Sequence, residues 1–256
     1  MNYWTQLSSE FANQRNYLDE LFRVYPTIPD GIRDINMELW NRVENAYKSN
    51  NNKDLIETLL RLDLFPIKDS YVAYLKRDKS SIKRNPATIN RLCGRLYDMG
   101  LDKIYEKCTE PKETNRQIGP LFKRWIDGGG LGIKPVNIEE FKNSKENAVL
   151  SASDEEMKKY AKEYLGYSVD KGLDFIGKFN NKHIIGEAKF LTDFGGHQNA
   201  QFNDAMATLN ADVDAITIAI LDGVLYIPSK NRTKMDIDTE KNIMSALVLR
   251  EFLYQV

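Results

Sequence analysis

The sequence predicts an α/β protein, with a mixed-sheet core in its C-terminal half and a helical N-terminal region before it. Three observations predict this. Apolar residues recur at three- and four-residue steps from Asn2 to about Asp127. A glycine-rich stretch from Gly128 to Pro135 then interrupts the pattern. Beyond it, strand-like runs alternate with amphipathic helices. The expected units are therefore residues 1–135 and residues 136–256.

In the first half, Asp54 to Leu62 shows the helical spacing most clearly. Pro26, Pro29, Pro66, Pro86, Pro111 and Pro120 each fall near a helix end or first turn, which implies several short helices. Gly128 to Pro135 looks superficially like a phosphate loop. No Ser or Thr follows Lys134, however, and Pro135 opposes a helix starting there, so a linker is expected.

The second half opens with Ser153-Asp154-Glu155-Glu156, a capping box. A helix follows with Met157, Ala161, Tyr164 and Leu165 on one face and a stop at Gly166. Leu173–Phe179 and Lys182–Phe190 read as two strands joined by Asn180-Asn181, a pair that tolerates the positive φ of a tight hairpin turn. A helix from about Gln198 to Asn210 carries Phe202, Ala205, Met206 and Leu209 as its stripe. Ala215–Leu221 reads as a buried strand, which Asp222-Gly223 is expected to turn into a further strand at Val224–Ile227. Ile243, Ala246, Leu247 and Arg250 mark a closing helix.

Composition removes several classes of function. The chain has 36 Lys+Arg against 37 Asp+Glu, so it is neither a polybasic coat nor an acidic tail. Cys93 and Cys108 are too few for a disulfide scaffold, and with His183 and His197 they lack the short ligand pairs of zinc modules. The polar start MNYWTQLSSEF has no signal-peptide pattern and no apolar run reaches bilayer length, so a cytoplasmic protein outside the membrane is expected.

Chemistry concentrates in the expected hairpin. With Asn180-Asn181 as the loop, Phe179 pairs with Lys182 and Asp174 falls opposite Glu187. Directly opposed residues share a face with Cβ atoms roughly 4.5 to 5.5 Å apart, which brings two carboxylates together unless a cation separates them. Lys189, two residues on, points the same way. The other face shows Leu173, Phe175, Phe179, Ile184 and Phe190 as a core. Two converging carboxylates suit a hard cation such as Mg²⁺, which could activate a bound water and offset charge growing on a phosphate. Lys189 would position that water.

Asp174, the strand pair, Glu187-Ala188-Lys189 and the helix after them resemble the PD-(D/E)XK nuclease family over about Ser153 to Ile227. Chain length and the helical first half fit its type II restriction endonucleases better than its smaller repair members. The resemblance implies Mg²⁺-dependent, sequence-specific cleavage of double-stranded DNA. It assigns the metal to Asp174, Glu187 and the backbone carbonyl of Ala188, and it makes Lys189 the catalytic amine. Leu173 stands where the family name has Pro. Many members carry a glutamate on the preceding helix; here Glu155, Glu156 and Glu163 compete, with Glu156 first although it also completes the capping box. The alternatives are a structure-specific repair or recombination nuclease and a non-catalytic DNA-binding regulator on the same scaffold.

Polar and basic residues nominate DNA contacts. Gln198, Asn199 and Gln201 own the paired donor and acceptor that read adenine edges, and His197 suits a phosphate. Between Lys76 and Arg124 there are 13 Lys+Arg against 6 Asp+Glu, a net of +7 that leaves −8 for the rest. Lys83, Arg84 and Arg116 are the leading phosphate contacts there, amid Tyr71 and Tyr74. A double-strand cut needs two sites of opposite polarity, so a homodimer is expected.

Overall fold

A computed structural model describes residues 1–26, 32–111, 117–228, 236–237 and 239–256. The chain forms two compact units, one of Met1–Thr27 with Thr114–Val256 and one of Ile28–Glu113. The expected division at residue 135 therefore differs from the observed one. Two N-terminal helices and one after the helical unit pack into the α/β core, because their apolar faces are needed there to cover the sheet.

In chain order, α1 (Tyr3–Gln14) and α2 (Tyr17–Val24) belong to the α/β unit. The helical unit holds α3 (Met37–Lys48), α4 (Asn52–Leu59), α5 (Ser70–Arg77), α6 (Ser81–Arg84), α7 (Pro86–Met99) and α8 (Leu101–Cys108). Pro86 opens α7, where its missing N–H costs nothing. These helices bury Leu55, Ile56, Leu59, Leu92 and Leu96 against one another, and Cys93 and Cys108 lie in the same cluster as free thiols. Burial pushes the two thiols up to about 11 and about 12, so neither is a nucleophile near neutrality.

The α/β unit resumes with α9 (Ile118–Asp127), α10 (Ile138–Asn143), β1 (Ala148–Val149) and α11 (Asp154–Leu165). It continues with β2 (Phe175–Phe179), β3 (Lys182–Leu191), α12 (His197–Leu209), β4 (Ile216–Gly223), β5 (Ile243–Met244) and α13 (Ala246–Gln255). The sheet runs β1-β2-β3-β4-β5, antiparallel between its first three strands and parallel between β3, β4 and β5. It is the mixed α/β sheet that the sequence pattern predicts.

The local expectations hold where short-range chemistry governs. Ser153 and Glu156 form the capping box of α11, and Gly166 ends it at φ 74°. Asn180 and Asn181 take φ 49° and 63°, and the hairpin adopts the expected register, Phe179 opposite Lys182 and Phe175 opposite Gly186.

Three expectations are corrected. Asp222-Gly223 is not a turn between strands: β4 runs through it in register with Leu191, and a single 3₁₀ turn follows at Val224–Tyr226. A Cβ on Gly223, at φ 94°, would lie 2.0 Å from the Leu191 carbonyl oxygen, so the chain exits there only as glycine. Ile243 belongs to β5 and not to the closing helix. That two-residue strand is held from outside the sheet as well, since Thr5 Oγ1 donates to the Ile243 carbonyl at 2.6 Å and the Ser245 N–H donates to Ser8 Oγ at 2.9 Å. The glycine-rich stretch, finally, is no free linker, for Leu131 within it is fully buried in the core.

Asp222 ties this arrangement together. Its buried carboxylate accepts from the Tyr17 hydroxyl at 3.0 Å, the Tyr25 hydroxyl at 2.9 Å, the Ala246 N–H at 3.2 Å and the Ser245 hydroxyl. A buried acceptor so fully satisfied fixes α2, β4 and the start of α13 to one another.

Candidate active site

The hairpin brings the predicted residues together. Asp174 immediately precedes β2, and its backbone N–H donates to the Gly186 carbonyl at 3.2 Å. One Asp174 oxygen, Oδ2, accepts from the Ala188 N–H at 2.9 Å and from Lys189 Nζ at 3.2 Å. Lys189 Nζ also donates to Glu187 Oε1. Two acids and an amine thus share one strand face, as the register requires.

That face is not solvent-facing. Ile176 and Ile185, on the same side, are buried in a cluster with Met157, Tyr160, Ala161 and Leu165 of α11, while Phe175, Phe179 and Ile184 are buried in the other core. The one-sided core expected for the hairpin is therefore corrected to a two-sided one, and Leu173 packs with the α11 cluster and not beside Phe175. Gly186 permits the close approach of the next strand, because a Cβ there would meet Ile218 at 2.6 Å.

Burial dominates the electrostatics. Burial first and the charge of Asp174 second push the Glu187 carboxyl up, the Lys189 ammonium opposes both, and the group comes to about 7. Burial alone would lower the Lys189 amine, but Asp174 and Glu187 outweigh it and hold the group above its ordinary value. Glu187 Oε2 is buried and has no hydrogen-bond partner. An orphaned carboxylate oxygen in a dry site costs about 1–3 kcal/mol or more, and a cation would satisfy it. Among the described residues no three His, Cys, Asp or Glu side chains gather as a ligand set, so a cation here would complete its shell with backbone carbonyl and water, as Mg²⁺ does.

Asp154 was missed. Its charge adds to the upward push on Glu187, and it lies 3.7 Å from Lys123 Nζ on α9. It is the first residue of α11 after the cap, hidden in the sequence by three glutamates that matched the expected residue type. Those glutamates are engaged elsewhere. Glu156 Oε2 accepts from the Ser153 N–H at 2.8 Å and its hydroxyl at 2.6 Å. Glu155 lines a groove with Lys158, Lys159 and Lys162, and Glu163 lines another with Lys142 and Tyr164.

Of the expected DNA contacts, His197 is exposed at the start of α12. Gln198 is buried, and its side-chain oxygen accepts the Thr192 N–H at 3.1 Å, so it orders the loop after β3. Asn199 has a buried Oδ1 without a partner, and Gln201 is half-buried. Lys83 is exposed, Arg84 is paired with Asp78 at 2.5 Å, and Arg116 lies outside the described residues.

A mixed sheet presenting a buried and a half-buried carboxylate with a lysine from one hairpin is consistent with the core of a phosphodiester-cleaving enzyme. The chain matches the Tsp45I type II restriction enzyme family over residues 2–256 and belongs to it, which makes the protein a site-specific deoxyribonuclease. No curated protein and no solved structure matches it. Among the described residues no helix is long and apolar enough to cross a membrane.

Proposed function

We propose that the protein cleaves double-stranded DNA as a Mg²⁺-dependent endonuclease of PD-(D/E)XK type, with Asp174, Glu187 and Lys189 as its catalytic set. One observation carries this reading: the buried, partnerless Oε2 belongs to a Glu187 that shares Lys189 with Asp174. Asp174, Glu187 and the Ala188 carbonyl would hold the ion. Bound there, Mg²⁺ supplies Lewis-acid activation of water and neutralisation of phosphate charge. Lys189, anchored by Asp174 Oδ2, presents a fixed ammonium that orients the attacking water and offsets charge at the scissile phosphate. Glu187 is buried, which strengthens its interactions with the ion and with Lys189.

Lys83, Arg84, Arg116, His197, Asn199 and Gln201 are DNA contacts in this reading, and Gln198 orders the loop between β3 and α12, the helix that carries the last three. The enzyme acts in the cytoplasm as a homodimer, each subunit cutting one strand. Digestion of plasmid DNA with Mg²⁺ tests the chemistry: Asp174→Ala or Glu187→Ala loses cleavage by several orders of magnitude while the far-ultraviolet dichroism is kept. Near-normal cleavage by either folded variant overturns the assignment. The scattering mass of the Asp174→Ala protein on its duplex tests the dimer, which a complex of one chain per duplex rejects.

A further inference from the structure

Residues 68–95 of the helical unit carry 8 Lys+Arg against 2 Asp+Glu, and each of the two acids holds an arginine. Asp69 accepts the Tyr71 N–H at 3.0 Å and grips the Arg91 guanidinium at 2.7 Å, with Arg95 at 3.8 Å. Asp78 grips Arg84 at 2.5 Å, and Ser80 Oγ accepts a second Arg84 hydrogen bond at 2.6 Å. Arg91 also lies over the Tyr71 ring, 5.5 Å from its centroid. A guanidinium pinned by a carboxylate and an aromatic face has lost much of its rotamer freedom before any ligand arrives.

Tyr71 and Arg84 line a groove of about 500 Å³ together with Tyr74, Asn85 and Thr88. Tyr71 and Tyr74 stand one turn apart on α5 and are 60% and 61% exposed, so two aromatic rings lie open side by side at the groove. Lys76, Arg77, Lys79 and Lys83 are exposed in the same segment. A surface with surplus positive charge, two oriented forks and open aromatic rings is complementary to duplex DNA: phosphates for the lysines and base edges for the forks.

We propose that this α5–α7 face reads base edges in the duplex, with Arg91 on its Tyr71 platform and Arg84 as specificity-determining groups. The inference rests on the DNA substrate of the family and not on the cation chemistry at Asp174 and Glu187.

The test is selection from a pool of randomised DNA duplexes, using Asp174→Ala protein as parent so that binding is read without cleavage. Arg91→Lys in that background keeps the charge and the Asp69 partner but loses the fork. The expected result is a preferred sequence for the parent that becomes degenerate at one or more base pairs in Arg91→Lys. Affinity for the preferred duplex should weaken roughly tenfold to a hundredfold, while affinity for unrelated duplex and the salt slope stay unchanged. Tyr71→Ala, an exposed substitution, should shift the preference in the same direction. Equal weakening on all duplexes would mark Arg91 as a phosphate anchor and overturn the proposal, as would an unchanged preference, or a parent that prefers no sequence. Failure of the cation reading shows separately, in plasmid digestion.

Discussion

The helical unit and the α/β unit of this enzyme treat charge in opposite ways. Among the described residues of the helical unit the buried polar side chains are Thr58, Ser81 and Thr109, no acid is buried, and several acids pair with lysine or arginine outside the core, as Asp69 does with Arg91 and Glu106 with Lys103. The α/β unit instead buries Asp222 and Glu187. Burial pushes the Asp222 carboxyl up even though Ser245, Ala246, Tyr25 and Tyr17 all donate to it. The contrast teaches that a charge becomes either reactive or structurally decisive only where solvent is removed, whereas exposed charges act at long range and individually contribute little to stability.

The sharpest way to break that comparison is at Lys189, the amine proposed as catalytic. Lys189→Ala should lose cleavage by orders of magnitude, comparable with the loss in the acid variants, yet keep its affinity for duplex DNA, because the proposed role of the amine is to orient water and not to hold the duplex. Binding that falls in proportion to rate would make Lys189 a phosphate anchor instead.

Next in size is the structural charge. Asp222→Ala strands four buried donors at once and should cost about 3–5 kcal/mol in denaturant unfolding. A cost under about 1 kcal/mol would show that the buried carboxylate organises nothing.

Asp69 is the counterpart in the helical unit, and its effect should be smaller and dependent on pH. Arg91 and the Tyr71 N–H hold its carboxyl below the ordinary value of 3.8. The stabilisation is therefore fully present above 3.8 and is lost as pH falls through the lowered folded value. Asp69→Asn keeps a good helix cap but no charge, so it should be less stable than wild type at neutral pH, by under about 1 kcal/mol. The gap should close at strongly acid pH. A gap independent of pH would assign it to geometry.

The smallest effect is expected at Lys83, an exposed side chain whose replacement by Ala should flatten the dependence of log K on log salt by about one unit without changing the fold. An unchanged slope would return it to an ordinary solvated face.

The features legible in the sequence are those set by neighbours along the chain. Asn180-Asn181 determined the turn, the turn determined the register, and the register placed Asp174, Glu187 and Lys189 on one face; Ser153, Glu156 and Gly166 bounded α11 in the same way. Period and turn chemistry act over a few residues and need no knowledge of the rest of the molecule. Tertiary structure decided what depends on partners far away in sequence. It chose Asp154 over three nearby glutamates as the acid felt by Glu187, covered the acid face with α11, and recruited α1 and α2 into the core of the second half. It also turned Asp222-Gly223 from a plausible hairpin turn into a strand end held by Tyr17 and Tyr25, about 200 residues earlier. In each case the deciding quantity is desolvation. It depends on which surfaces meet in space, and a local pattern of residues does not contain that information.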